Sequence, residues 1–340
     1  MKKNIDKYII NHISSHSGDI AAHTAKRFGI SRQAAVNHLA KLIDDEIVIA
    51  SGKTKARRYS LRKSVNKVYR LDVSPNLAED VEWREKVLPF MQDVPRNVVN
   101  ICQYGFTEIL RNVTDHSQSS KAAFGISRDA ICIKLFVLDH GIGIFNKIQA
   151  DFGLEDSRHA LLELSKGKLT SDPQKHTGEG IFFSSRMFDE FNISSGNLVF
   201  LRENKGDDWL IEVDEGDRPR GTYVKMKISP TSKQTTKQVY DKFSPDKESY
   251  GFTRTHIPIQ LARYEGEQLI SRSQARRLLA RFENFEEVLL DFKGVETIGQ
   301  AFADEIFRVY RNENPNIKIL WINTTQEVEN MIRRTSADSA

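Results

Sequence analysis

Apolar positions recur at helical spacing in three successive stretches at the start of the chain: KNIDKYIINHISSHS, then DIAAHTAKRFG closing on Gly29, then SRQAAVNHLAKLIDDE with Ser31 as a good N-cap. The pattern then changes to alternation in IVIASGKTKARRYSL, which reads as a hairpin with Ser51 and Gly52 at its tip. From about Ser64 to Glu85 apolar repeats are few, and the stretch reads as a connector. Helical spacing returns in VVNICQYGFTEILRNVTDH, residues 98–116, and ICIKLFVL follows as an apolar strand ending in DHGIGIF. HTGEGIFFSSRMFDEF reads as a Gly-x-Gly turn running into an amphipathic helix, and GTYVKMKI as a strand opened by Gly-Thr. After the polar SPTSKQTTKQ the tail alternates: strand THIPIQLA, helix SRSQARRLLARF, strand EVLLDF, helix in VETIGQAFADEIFRVYRNEN, strand IKILWIN and a last helix. That alternation predicts parallel strands covered by helices.

Length and composition narrow the class. A chain of 340 residues is long enough for two or three cores, and 39% hydrophobic with 28% charged residues is the balance of a globular protein, not a disordered one. No run approaches the eighteen apolar residues of a membrane span, and the start MKKNIDKYIINH has charges where a secretion signal needs apolar residues, so a cytoplasmic protein is expected. Cys102 and Cys132 form no CxxC pair and are read as free thiols, with no zinc site. The net charge of +4 conceals an asymmetry: through Lys63 there are thirteen Lys or Arg against five Asp or Glu, so only the N-terminal part is basic.

Chemistry enters through that basic part first. Two helices joined by the short turn FGISR, with a basic hairpin behind them, resemble a winged helix-turn-helix domain over residues 1–62. The resemblance implies that the third helix offers Arg32, Gln33 and Asn37 to base edges, while Lys53, Lys55, Arg57 and Arg58 meet phosphates. A winged helix serving protein contacts or dimerisation is the alternative; the positive hairpin favours DNA.

The middle of the chain carries four short motifs in order. Glu108 and Asn112 leave one helix face a turn apart, and can aim one oxygen at a water and another at a metal ion. Asp139, at a strand end, can accept a hydrogen bond from an exocyclic amine, and the glycines beside it let backbone approach a flat base. The turn at Thr177 to Ile181 exposes amides at a helix start, a place for phosphates. Gly221 and Thr222 open a later strand. Each is weak alone. Together they resemble the ATP-binding fold shared by gyrase, the ninety-kilodalton heat-shock chaperone, mismatch-repair ATPases, histidine kinases and anti-sigma kinases, the GHKL group.

Carried over by position, that resemblance implies that Asn112 coordinates Mg²⁺, Glu108 orients or deprotonates the attacking water or hydroxyl, and Asp139 reads the adenine amino group. Gly141 and Gly143 would seat the base, Gly178 and Gly180 would wrap the phosphates with Thr177, Glu179 and Ile181 alongside, and Thr222 would support the water network under the base. The stretch from Phe145 to His176 would be a lid, mobile in its LSKGKLTSD core, with Lys166 and Lys168 as candidate phosphate contacts. The chain departs from the kinase members. No histidine lies between His38 and His116, so the phosphoacceptor helix of a sensor kinase is missing, and Asp115 precedes His116 where a basic residue is usual.

VLLDFKGVETIGQAFADEIFRVY resembles the core of STAS domains, the fold of anti-anti-sigma factors. In those proteins the turn after the strand carries a phosphorylatable serine; here it is Ile298-Gly299-Gln300-Ala301, with no hydroxyl and Thr297 beside it. The expectation is therefore a multidomain α/β protein: an α+β winged helix (1–62), a linker (63–84), an α/β two-layer sandwich of the GHKL ATP-binding type (85–229), a second linker (230–249) and a STAS-like α/β domain (250–335). Its expected cofactors are ATP and Mg²⁺, and its expected partners are DNA, a protein held by the STAS-like domain, and a second copy in a homodimer, with no membrane. The leading functional expectation is a regulator whose DNA binding or assembly is set by Mg-ATP. A serine or threonine kinase of the anti-sigma type and a nucleotide sensor without turnover stay open beside it.

Overall fold

The computed structural model describes residues 2–170, 177–203, 208–212, 220–244, 251–263 and 267–337. It opens with three helices, α1 (Lys2–His12), α2 (Ile20–Phe28) and α3 (Arg32–Asp44), followed by a hairpin of β1 (Val48–Ser51) and β2 (Arg58–Leu61). The turn between α2 and α3 works because Gly29 takes a left-handed φ of 63° and Ser31 accepts the Ala34 amide at 3.1 Å. The apolar spacing of these helices converges on Ile5, Ile9, Ile20, Ala35, Leu39 and Val48, which form a core of their own. The hairpin tip is longer than two residues: it runs from Gly52 to Arg57 and contains the 3₁₀ turn Thr54–Ala56.

The central sheet has seven strands, all neighbours antiparallel, in the order β3-β4-β5-β9-β6-β7-β8. These are β3 (Val65–Asp72), β4 (Lys121–Arg128), β5 (Ile133–Asp139), β6 (Glu190–Ser195), β7 (Leu198–Glu203), β8 (Asp208–Glu212) and β9 (Thr222–Ile228). Strand β3 lies inside the stretch read as a connector, and a short helix α4 (Glu79–Glu82) follows it, leading to the buried Trp83. The strand escapes a reading by hydrophobic pattern because it is a sheet edge, with only Val65, Tyr69 and Leu71 packed on the core and Val68 60% exposed.

Helix α5 (Arg96–His116) packs across β5, its buried residues Val98, Ile101, Cys102, Gly105, Phe106, Ile109 and Val113 recurring every three or four positions. Gly105 brings it close, since a methyl there would run into the Phe188 ring. After β5 come α6 (Ile144–Phe152) and α7 (Ser157–Lys166), and α8 (Gly180–Met187) lies beside α5. The second stretch expected as a linker holds α9 (Thr236–Phe243), whose capping box pairs Thr235 with Gln238 and whose Val239 and Phe243 are buried.

The C-terminal unit is a three-stranded parallel sheet, β10 (Arg254–Pro258), β11 (Glu287–Asp291) and β12 (Lys318–Ile322), in the order β10-β11-β12. Helix α10 (Arg272–Leu279) crosses from β10 to β11, α11 (Gln300–Asp304) runs through a π-helical turn into α12 (Arg311–Glu313) before β12, and α13 (Gln326–Ala337) ends the chain. The alternation of strand and helix read from the sequence is the one observed. The central and C-terminal units share one continuous core, joined by Phe252, whose ring lies 4.4 Å from that of Phe182 and 5.4 Å from that of Phe285.

Candidate nucleotide site

One helix face, one strand end and one helix start meet around a cavity of about 280 Å³. From α5 it is lined by Glu108, Arg111, Asn112 and His116, from the end of β5 by Asp139, and from the turn beyond by Gly143 and Ile144. Leu164, Leu169, Thr170, Thr177, Gly178, Gly180 and Ile181 form the opposite side, and Thr222 on β9 the floor. Motifs up to 114 residues apart in the chain therefore border a single space.

Asp139 is the pivot. It is 3% exposed and burial raises its pKa above the ordinary carboxylate value, opposed by hydrogen bonds from the Gly141 amide at 2.8 Å and from Thr222. Thr222 fixes the turn from the other side, its hydroxyl accepting the Ile144 amide at 3.0 Å. The glycines are required by space: a methyl on Gly141 would overlap the Ser117 carbonyl, and Gly143 has a φ of +85° with the Ser195 hydroxyl against its α-carbon. The Ser195 hydroxyl also donates to the Gly221 carbonyl at 2.9 Å, so β6, β9 and the Asp139 turn form one rigid cradle.

Glu108 and Asn112 stand one turn apart on the rim of the buried face of α5, both partly exposed into the cavity. The Glu108 carboxylate lies against Gly180 in the first turn of α8, where the helix dipole favours an anion. Next to it, burial raises the pKa of Glu179, Lys168 lowers it, and the charge of Glu108 raises it further. Two carboxylates crowding one helix start favour a cation arriving between them. No group of three or more His, Cys, Asp or Glu able to hold a metal occurs among the described residues. A Mg²⁺ ion here would draw on Asn112 and the phosphates of its nucleotide, as an oxygen-seeking ion that keeps few protein ligands does.

The glycine turn closes over this space. Gly178 has a φ of +68° and lies on Leu169, whose amide donates to the Gly178 carbonyl at 3.2 Å; a methyl on Gly178 would sit 2.5 Å from the Leu169 backbone. Thr177 is exposed at the mouth and Ile181 is half-buried. Arg111 is a lining residue that the motifs do not single out, paired with Glu79 and 4.0 Å from Glu108. Its neighbour Asn112 drew attention by spacing, whereas Arg111 reaches the cavity only through the length of its side chain.

The lid departs from expectation. Within LSKGKLTSD, Ser165 and Lys166 are buried, and residues 171–176 lie outside the described residues. Lys166 bonds Glu163 at 2.5 Å and the Ala280 carbonyl at 2.8 Å, and Lys168 donates to the Asn284 carbonyl at 2.8 Å. Both ammonium groups point into the C-terminal unit and neither lines the cavity: the carbonyls ending α10 take Lys166, and the carbonyl of Asn284 in the next 3₁₀ turn takes Lys168.

At the other end of the molecule, Arg32, Gln33 and Asn37 are exposed along α3, with the Gln33 amide donating to Asn37 at 3.1 Å. Lys53, Arg57 and Arg58 are exposed in the hairpin, and Lys55 falls in its 3₁₀ turn, its side chain outside the described residues. Arg58 is the least available of these, since its guanidinium lies against Gly18.

Residues 274–329, from α10 to the start of α13, match a STAS-like domain of unknown function (DUF4325). The C-terminal part of this chain is a STAS-like domain. No curated protein matches the chain. In the STAS-like domain the turn corresponding to a phosphorylated serine is closed: Gly299 caps α11, Ile298 bridges to Leu269, and the backbone of Ile270 lies against the Gly299 α-carbon. Thr297 beside it is exposed. No helix among the described residues is long and apolar enough to cross a membrane.

Proposed function

We propose that the chain is a regulator that binds DNA through its N-terminal helices and hairpin and whose DNA binding is set by Mg-ATP held in the central cavity. The observation that carries this reading is the meeting of Glu108, Asn112, Asp139, Gly143, Thr177, Gly178, Gly180, Ile181 and Thr222 around one space of about 280 Å³. In it Asp139 accepts the amine of adenine, Gly141 and Gly143 admit the base, and Asn112 presents an oxygen to Mg²⁺. The amides at the start of α8 would receive the phosphates, and Glu108, which lies against Gly180 there, would orient a nucleophile. Bound Mg²⁺ would supply charge neutralisation of the triphosphate.

ATP labelled on the γ-phosphate separates the forms of this reading. Label released as phosphate by the wild type and retained on ATP by Glu108→Ala marks an ATPase; label on protein marks a kinase of the anti-sigma type; binding of nucleotide with the label retained marks a sensor. No binding of nucleotide at all would overturn the reading.

The DNA half has its own test. Arg58 packs on Gly18, so Lys53 and Arg57 are the cleaner pair to reverse. Lys53→Glu with Arg57→Glu is expected to lower affinity for duplex DNA at least tenfold in a gel shift while leaving far-UV circular dichroism unchanged, because each lost phosphate contact removes counterion release. Unchanged affinity would assign the hairpin to another partner.

A further inference from the structure

The arm that walls the nucleotide cavity is the same arm that holds the STAS-like domain. Along Leu164 to Thr170 the side chains divide: Leu164, Leu169 and Thr170 line the cavity, while Lys166 and Lys168 leave it for the C-terminal unit. Lys166 is fully buried, donating to the carbonyls of Arg277 at 3.3 Å and Ala280 at 2.8 Å, and its own carbonyl accepts the Thr255 hydroxyl at 2.7 Å. Arg281 answers from the other side: it bonds Glu163 at 2.9 Å and the Gly167 carbonyl at 3.1 Å, and also donates to the Lys168 carbonyl. Arg277 pairs with Glu155 at 3.0 Å. From α8, Arg186 donates to both Ser165 at 3.4 Å and His256 at 3.3 Å.

Two features mark this as more than ordinary packing. Arg281 holds its bonds from a left-handed backbone, φ 65°, a conformation costly for a side-chain-bearing residue that persists where its surroundings over-determine it. Glu163 and Lys166 are charges withdrawn from water, Arg281 beside them is mostly covered, and a buried charge left without its partner is expensive, so loss of one bond weakens the others. The arm cannot shift in the cavity without disturbing these bonds, since Leu169 and Gly178 are joined at 3.2 Å on one side and Lys168 and Arg281 on the other.

We infer that Glu163, Lys166 and Arg281 form a latch through which occupancy of the cavity and docking of the STAS-like domain control each other. This rests on the nucleotide reading of the cavity. Nucleotide holds the arm against Gly178 and thereby tightens the STAS-like domain; anything that draws that domain away loosens the arm and weakens nucleotide binding by the same factor, because coupling between two binding equilibria is reciprocal.

Hydrogen exchange on the full chain, with and without Mg-AMP-PNP, tests it, comparing wild type with Arg281→Gln and with the milder Thr255→Val. Nucleotide is expected to slow exchange both at 164–170 and at 272–285 in the wild type. Arg281→Gln is expected to speed exchange at 164–170 about tenfold and to weaken nucleotide affinity by a similar factor, leaving α5 amides unchanged; Thr255→Val moves both in the same direction by less. Nucleotide protection confined to the cavity, at 164–170 and 178–187 with 272–285 unmoved, would overturn the latch and leave the nucleotide reading standing. Absence of protection anywhere around the cavity would overturn both.

Discussion

Asp139→Asn is expected to abolish the response to nucleotide and at the same time to raise thermal stability. The carboxylate is buried, with its pKa pushed up by burial, so the folded chain bears the cost of an ionised group in a dry cradle at neutral pH. Asparagine keeps an oxygen for the Gly141 amide and sheds the charge; its amide nitrogen no longer accepts from Thr222, which offsets part of that gain. It loses the charged acceptor for an exocyclic amine, worth about 2 kcal/mol and hence more than tenfold in affinity. The sign with pH follows from the raised pKa: the cost of Asp139 is present above its folded pKa and disappears below its unfolded one. The stability advantage of Asn is therefore largest near neutrality and shrinks as pH falls toward roughly 4, the ordinary carboxylate value. Thermal unfolding and nucleotide titration of the two chains across pH check both halves. A variant that binds nucleotide normally would remove Asp139 from the base site.

Gly221→Ala is expected to cost about 3 kcal/mol or more of stability. Gly221 has a φ of +110°, which L side chains rarely adopt, and a methyl there would fall on the Asp139 carbonyl and the His140 α-carbon. Neither neighbour can retreat, because Asp139 ends β5 and the Ser195 hydroxyl holds Gly221 in place. Gly153→Ala is the control: its φ is +60° with open space around it, and the expected cost is about 1 kcal/mol. Urea unfolding of both variants measures the difference. Equal costs would mean that the cradle yields, and a yielding cradle does not select a flat base.

The sequence disclosed most where one period dominates a segment. Helix α5 is legible because its buried residues recur every three or four positions, and the C-terminal alternation is legible because buried parallel strands are short apolar runs separated by amphipathic helices. Strand β3 is illegible for the opposite reason: as an edge strand it packs only Val65, Tyr69 and Leu71, and Lys67 on that face with Val68 on the exposed one breaks the apolar alternation. Among the site residues, Asp139, Gly143, Gly178 and Thr222 were found by motif order, and they do meet in space. What motif order could not disclose is partnership. Lys166 and Lys168 look like lid cations from the sequence, and only the fold shows that the carbonyls ending α10 face Lys166 and that of Asn284 faces Lys168. The same limit hides Arg111, which pairs with Glu79 at the start of α4.

Nucleotide in the cavity is expected to change how the N-terminal unit holds DNA. Fluorescence anisotropy with a labelled random duplex, at one fixed salt concentration, measures it directly: affinity without nucleotide, with Mg-ADP and with Mg-AMP-PNP, for wild type and Asp139→Asn. Wild-type affinity is expected to differ at least fivefold between nucleotide states, and Asp139→Asn affinity to be the same in all three. Wild-type DNA affinity that ignores nucleotide, in a chain shown to bind both, would contradict it.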